Sequence, residues 1–390
     1  DDAPYIYRTT DYGATWTNLT PGTNGIPADY PTRVVREDPR REGLLYAGTQ
    51  YAMFVSFDDG AHWQPFQQNL PGTPITDIQV VGSDLAISTM GRSFWIMDNV
   101  TPLRELSREV AAAQAHLFQP RDPYRLRYNA GGAQAGAPQT EPVYPPPGAM
   151  LDYYLAQEHA GDITLDVLDA RGAVIRSFSS AGEGQQQAGG QAMRGPFFAQ
   201  RGTPRLGKSA GMHRVIWDFA YPGPVDPATG RAGGNGPLAT PGRYQARLTA
   251  GGWTATRSFN VLNDPRVEKD GVTQVVLDEQ LQHTLKVRDA VSEARQTLHR
   301  LREAKRGRAE GSDPRRRLDA LEAQLATASG GGIRYPQPML VAQLEYLYNM
   351  ITSADQKLGR DAFERYEELK RQLDGIKQQL STLVEDRGTP

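Results

Sequence analysis

The spacing of apolar residues changes character twice along the chain. In residues 1–105, short apolar runs such as Leu44-Leu45-Tyr46-Ala47-Gly48, Ile78-Gln79-Val80-Val81 and Leu85-Ala86-Ile87-Ser88 alternate with Gly, Pro and Asp turns. That pattern predicts an all-β module. From 151 to 263 apolar residues fall at every second position. Ile163, Leu165 and Val167 share one strand face, as do Val215, Trp217 and Phe219, and Tyr244, Ala246 and Leu248. With turn signals at Asp169-Ala170-Arg171-Gly172 and Pro241-Gly242, this predicts an antiparallel β-sandwich. Beyond Asp264-Pro265-Arg266 the period becomes helical. Val287, Val291, Ala294, Leu298 and Leu301 step by four and three, as do Leu340, Leu344, Leu347, Ile351, Ala354 and Leu358, and then Tyr366, Leu369, Leu373, Ile376, Leu380 and Leu383. So narrow an apolar seam predicts three or four helices over 264–390, packed as an up-and-down bundle or a long coiled hairpin.

Local signals refine these boundaries. Ser312-Asp313-Pro314 reads as a helix start, and Asp361 with Glu364 as a capping box. The triple glycine 330–332 with Pro336 and Pro338 separates two helical hairpins. Residues 106–150 read as a connector with an Ala-rich helix over Ser107–His116, a Gly/Ala/Pro stretch at 129–138 and the triple proline 145–147. The span 180–211, rich in Gly and Gln, reads as a long loop inside the sandwich.

One motif occurs twice in the first module, 47 residues apart. Thr9-Thr10-Asp11-Tyr12-Gly13-Ala14-Thr15-Trp16 and Ser56-Phe57-Asp58-Asp59-Gly60-Ala61-His62-Trp63 share the pattern [ST]-x-D-x-G-x-[TH]-W, each after a strand-like run (Tyr5-Ile6-Tyr7; Met53-Phe54-Val55). An Asp side chain bonds nearby backbone N–H groups, Gly permits positive φ, and the Trp opens the next strand with its ring under the turn. Two copies at this spacing predict repeated small sheets.

The pair resembles the Asp-box of the sialidase-type repeat, with Asp11, Gly13, Trp16, Asp58, Gly60 and Trp63 in the structural positions. The run from Asp84 to Asn99, followed by Thr101-Pro102-Leu103-Arg104-Glu105-Leu106, is similar to the final propeller strand of large bacterial sortilin-like repeat proteins. The segment Gly211-Met212-His213-Arg214-Val215-Ile216-Trp217-Asp218, with Pro241-Gly242-Arg243-Tyr244, resembles the immunoglobulin-like domain that follows the propeller in that family. The resemblance implies incomplete β-propeller blades with Asp-boxes at 1–105, the connector 106–150, an immunoglobulin-like β-sandwich at 151–263 and the helical bundle at 264–390. Two motif copies are fewer than the roughly four to eight blades of a closed propeller. The chain is therefore expected to be the processed C-terminal portion of a precursor, or a remnant completed by a partner across an open sheet edge.

Composition excludes more than it selects. The 390 residues have a net charge of −2, so bulk charge gives no reason to expect nucleic acid. Cysteine is absent, which removes disulfides, thiolate metal sites and cysteine nucleophiles. No apolar run approaches the ~18 residues that span a bilayer. The resemblance implies a periplasmic or secreted bacterial protein whose signal peptide has been removed.

Candidate chemistry is sparse. Asp11 and Asp58 sit at turn positions and are expected to be structural. The arginine cluster and Tyr/Glu pair of sialidases spread over several blades, and no such set assembles here. The histidines at 62, 116, 159, 213, 283 and 299 show no metal-ligand spacing, and P-loop, dinucleotide and Gly-x-Ser-x-Gly patterns are missing. No catalytic, cofactor or metal residue is assigned. Arg92, before Ser93-Phe94-Trp95, is read at a strand start, either facing a ligand or packing a blade. The basic stretch with Arg300, Arg302, Arg306, Arg315, Arg316 and Arg317 is a candidate contact for an acidic partner or lipid headgroups, against a solvated helix tip.

The expectation is a non-enzymatic exported scaffold or interaction protein, with an extrinsic subunit on the outer face of a membrane-bound, bioenergetic assembly as one setting. Two alternatives stand beside it. One is a glycan-binding or glycoside hydrolase-like propeller fragment. The other is a sortilin-like receptor fragment that takes peptides by strand addition.

Overall fold

The computed structural model describes residues 2–127, 145–181, 204–234, 236–327 and 337–385. The stretch 129–138, most of the loop 180–211 and the triple glycine 330–332 lie outside them. The chain is mixed β and α, with several antiparallel sheets and a C-terminal helical part; no closed propeller sheet forms among the described residues.

The first hundred residues fold into three small sheets. The first pairs β1 (Tyr7–Arg8) with β2 (Thr17–Asn18). The second runs in sequence order through β3 (Thr32–Glu37), β4 (Leu45–Thr49), β5 (Met53–Ser56) and β6 (Gln64–Pro65). The third is β7 (Ile75–Val81), β8 (Asp84–Thr89) and β9 (Phe94–Met97). Strands β4 and β5 are buried throughout, between one core of Ile6, Leu19, Ile26, Ala47, Phe54 and Trp63 and another of Val34, Tyr46, Met53, Val55, Ile75 and Ile78. Gly48 marks the closest approach: a Cβ there would stand 2.5 Å from Ile75 Cγ2, so no larger residue fits between the second and third sheets.

Regular elements form just before the connector and in its described part. Two five-residue helices, α1 (Thr101–Glu105) and α2 (Arg108–Ala112), are followed by β10 (Ala115–Leu117), which pairs antiparallel with β11 (Ala149–Leu155). The helix expected over Ser107–His116 thus ends at Ala112. Ser107 caps it by accepting from the Val110 N–H, and Ala115–Leu117 is strand because its buried residues complete a sheet.

Downstream, β12 (Ile163–Leu168) and β13 (Val174–Ser179) precede β14 (Gly211–Trp217), β15 (Gly242–Ala250) and β16 (Trp253–Val261). The four-stranded sheet is ordered β13-β12-β15-β16, and β14 joins β10 and β11. Its core is aromatic: Trp217 lies 5.5 Å from Phe219, 5.2 Å from Tyr244 and 6.3 Å from Phe259, centroid to centroid. The chain divides into two compact units. One comprises residues 1–121, 150–161 and 208–215; the other holds the four-stranded sheet and all the longer helices. The division falls inside β11, between Ala149 and Met150, and inside β14, between Val215 and Ile216.

After the short α3 (Pro265–Lys269), four longer helices follow among the described residues: α4 (Gln274–Lys305), α5 (Asp313–Leu325), α6 (Leu340–Thr352) and α7 (Arg360–Glu385). Their pairing differs from two successive hairpins. Descending α4, its partners ascend through α5 and then α6: Lys305 O accepts from Arg315, Arg302 pairs with Glu322, Arg295 with Glu345, and Gln280 donates to Ile351 O. Helix α7 runs parallel to α4, with Ala362 opposite His283, Lys370 opposite Glu293 and Leu383 opposite Arg308. The arrangement is up-down-up with a divided middle leg. Leu340, Leu344, Leu347 and Ile351 are buried as their spacing requires, whereas Ala354 and Leu358 fall beyond the end of α6. Asp361 lies in the first turn of α7 rather than at its cap, and Glu364 pairs with Arg360 at 2.6 Å instead of closing a capping box.

His283 is a buried titratable group in this bundle. Its ring centroid is 4.3 Å from Phe363 and 5.4 Å from Tyr366, and Nε2 lies 3.3 Å from Ala362 O. Burial pushes its pKa below the ordinary histidine value, against a partial opposing effect of the Ala362 carbonyl. A histidine with a depressed folded-state pKa binds fewer protons folded than unfolded. Stability is therefore full above the unfolded value of about 6.5 and declines as pH falls from there toward the folded pKa. Thermal melts followed by helical circular dichroism should show a falling midpoint between pH 7.5 and 5, and His283→Gln should flatten that slope.

Candidate functional site

The two motif copies form the same turn, atom for atom. In the first, Thr9 Oγ1 accepts from the Gly13 N–H at 2.7 Å and donates to Asp11 Oδ1 at 2.9 Å. Asp11 Oδ1 accepts from the Thr15 N–H at 2.8 Å, and Oδ2 from its hydroxyl at 2.7 Å. In the second, Ser56 Oγ accepts from Gly60 N–H at 2.9 Å and donates to Asp58 Oδ1 at 3.0 Å, while His62 supplies its N–H at 2.8 Å and its Nδ1 at 2.7 Å to Asp58. The residue between Asp and Gly is left-handed in both: Tyr12 and Asp59 each have φ 58°. The Thr15 backbone N–H, then the hydroxyls of Thr15 and Thr9, hold Asp11 below the usual carboxylate range. Burial pushes Asp58 upward, but the His62 and Ser56 hydrogen bonds outweigh it and leave the group lowered. Both carboxylates are ionised acceptors occupied by their own turns, a poor arrangement for a proton donor.

A left-handed residue recurs after β9, at Asp98-Asn99. Asn99 has φ 63°, 40 residues after Asp59. The donors of the preceding hairpin repeat at that interval too, with acceptors 43 and 41 residues apart. Gln50 N–H donates to Pro31 O and Met90 N–H to Pro74 O, both at 2.9 Å, and the hydroxyls of Thr49 and Thr89 bond the carbonyls of Ala52 and Ser93. The Ser, Gly and Trp positions of the motif are here Ile96, Val100 and Leu103, so a search on the full pattern passes over it. The surviving signal is Asp98-Asn99 at the end of an apolar strand. Val100 is fully buried and Leu103 packs against the same core. Asn99 also belongs to a buried polar cluster: its Nδ2 donates to Asp152 Oδ2 at 2.9 Å, and Arg214 Nε donates to Asp152 Oδ1 at 2.6 Å.

What distinguishes the copies is their cover. Trp63 is 3% exposed, and its Nε1 donates to Leu19 O at 3.0 Å, in the loop that follows the first turn. Asn24 of that loop donates to the carbonyls of Leu19, Gly60 and Ala61 and accepts from the Trp63 N–H. Gly60 combines φ +83° with a Cβ position 2.8 Å from Leu19 Cδ1, so the clasp excludes any side chain there. The first turn has no such cover among the described residues. Trp16 is 61% exposed, its Nε1 reaching only Gly13 O of its own turn at 3.1 Å, and Tyr12 is fully exposed. Tyr5 and Tyr7, stacked at 6.2 Å, are exposed as well. At the other end of the series, Phe94 and Ile96 of β9 are exposed.

Arg92 lies in the loop before β9 rather than at a strand start. Its backbone is held by Thr89 Oγ1 and by Trp95 Nε1, and its side chain is exposed with no partner among the described residues. The basic stretch is largely neutralised. Arg302 pairs with Glu322, Lys305 with Asp319 and Glu322, Arg306 with Glu303, Arg315 with Asp319, and Arg316 and Arg317 with Asp313. Arg300 alone of the six candidate arginines has no partner among the described residues. Among those residues no group of three or more His, Asp or Glu could hold a metal ion, and no helix is long and apolar enough to cross a membrane.

No protein-family model matches this sequence, and no curated protein matches it. Among solved structures it is similar to PorZ, an essential bacterial surface component of the type-IX secretion system of Porphyromonas gingivalis, at 11% identity and a TM-score of 0.20. That match covers 66% of this chain and 25% of the other, so the chain spans about a quarter of the structure it matches. A TM-score of 0.20 is below the level of a shared fold.

Proposed function

We propose that the chain is a non-enzymatic scaffold of the bacterial envelope, built on sialidase-type repeats of the sortilin-like class, and that it works docked on a protein partner. The observation supporting this reading is the contrast between Trp63, clasped by the loop of the preceding repeat, and Trp16, uncovered at the equivalent position. Exposed aromatic rings such as Tyr12 and Trp16 at the turn, and Tyr5 and Tyr7 in and before β1, are the kind that interfaces use, since large rigid rings bury much area at little entropic cost. An extrinsic subunit of an outer-face membrane complex is the setting this reading favours. The test is a photo-cross-linker at Tyr12 in the native envelope, with mass spectrometry of the adduct. One discrete adduct, lost on Trp16→Ala, is the expected result. A 42.9 kDa chain that is isolated alone and carries no adduct overturns the reading.

A second reading, glycan binding, draws on the same rings, because flat exposed aromatics also accept sugar faces. Saturable binding on a glycan panel without hydrolysis of chromogenic glycosides or sialosides would favour it, and silence on both would retire it.

A further inference from the structure

The unpaired cations of the basic stretch converge on one cavity. Between the C-terminal halves of α4 and α7 lies a space of about 670 Å³ lined by Arg300, Ala304, Arg308, Lys377, Leu380 and Val384, with Thr297, Glu303 and Ser381 completing the wall. Leu380, Val384 and Ala304 give it an apolar side, and Leu380 belongs to the bundle core. Of the eight basic residues between Arg300 and Arg317, six have carboxylate partners. The two without one, Arg300 and Arg308, both line this cavity. Arg308 donates through Nη2 to Leu383 O at 3.3 Å, which serves the end of α7. Its Nη1 is buried and has no hydrogen-bond partner. A cation near a helix C-terminus is expected on dipole grounds, but that does not account for a guanidinium nitrogen taken out of water without an acceptor.

We propose that this cavity binds a soluble anionic amphiphile, a single apolar chain ending in a carboxylate. The head would be held by Arg300 and Arg308, and the chain would lie along Leu380, Val384 and Ala304; Lys377 on the same wall is already engaged by Glu293 at 3.1 Å. The one acid on the wall, Glu303, is engaged by Arg306 at 3.0 Å, so the positive charge is not cancelled from within. The volume falls within the range of small-molecule sites, roughly 300–1,000 Å³. A carboxylate head facing the guanidiniums of Arg300 and Arg308 would make a charge-assisted contact with the faces they turn to the cavity.

Calorimetric titration of the full chain with decanoate below its micellar concentration tests this, with decanol, inorganic phosphate and anionic phosphatidylglycerol vesicles as comparison arms. The expected result is saturable one-to-one binding of decanoate, weaker binding of decanol and of phosphate, and a rise in Kd of about tenfold in Arg308→Gln, as loss of one charge-assisted contact implies. Arg300→Gln is the second variant: the side chain is exposed and unpaired, so the fold is not at stake, and a severalfold loss is expected. Unchanged affinity in both variants overturns the proposal, as does decanol or phosphate binding as tightly as decanoate. Absence of decanoate binding, or binding to vesicles alone, overturns it too, the latter in favour of a lipid-surface contact.

Discussion

Asp355→Ala should destabilise the unit that holds the four-stranded sheet and the helices by about 3–5 kcal/mol. The Asp355 side chain is 3% exposed and takes the guanidinium of Arg125, itself 3% exposed, on Oδ2, and Arg127 Nε on Oδ1 at 2.7 Å. Removing the carboxylate leaves two cations facing each other in a poorly solvated place. The arginines cannot withdraw cheaply, because Arg125 Nε also donates to Ala239 O at 2.7 Å and Arg127 Nη1 to Thr352 O at 2.7 Å. The strand-side segment carrying both arginines is further held by the Arg125 N–H on Leu262 O at 2.8 Å. Urea unfolding at neutral pH reads the effect directly. Asp355→Asn keeps the shape and should cost less than the alanine variant. A loss below about 1 kcal/mol for Asp355→Ala would place the triad among exposed pairs and sink this account.

Trp63→Ala should cost about 3–5 kcal/mol, whereas Trp16→Ala should stay within about 0.5 kcal/mol. The chemistry of the two substitutions is identical and both residues close the same turn, so the difference isolates cover. Trp63 fills a core with Ile6, Leu19, Ile26 and Phe54, and its loss removes buried area and leaves a cavity. Its indole donor is not the main contribution, since Leu19 O retains Asn24 Nδ2 at 2.9 Å. Trp16 gives up only an exposed ring and a hydrogen bond to its own turn. Denaturant unfolding of the two variants in parallel checks the ratio. The functional reading reverses the order for partner docking, where Trp16→Ala should be the damaging change. Equal destabilisation by both variants would mean that the first turn is covered in solution.

How much of this was legible in the sequence depended on the range of the interaction that decides each feature. The turn at Thr9–Trp16 was readable because Asp11, Gly13 and Thr15 bond within five residues, and the helical seams because residues three and four apart share a helix face. Pro314 marked the first turn of α5 because its fixed φ and missing N–H suit that position. The left-handed turn at Asp98-Asn99 was not readable, because Ile96, Val100 and Leu103 stand where the motif has Ser, Gly and Trp. The strand Ala115–Leu117 exists only because β11, more than thirty residues later, is there to pair with it. Period alone could not give the direction of the middle helices, which the α4 pairings fix.

The candidate site divides along the same line. By itself, the sequence determined the backbone of each turn, the helical content and the clustering of arginines, all set by sterics and hydrogen bonds between near neighbours. Only the tertiary structure decided which of two equivalent tryptophans is buried, through a contact spanning 44 residues, and which arginines are neutralised. It also joined Asp355 to Arg125 across 230 residues. The reason is physical: local conformation follows from the chain a few residues either way, whereas burial and charge pairing depend on groups that only folding brings within a few ångströms.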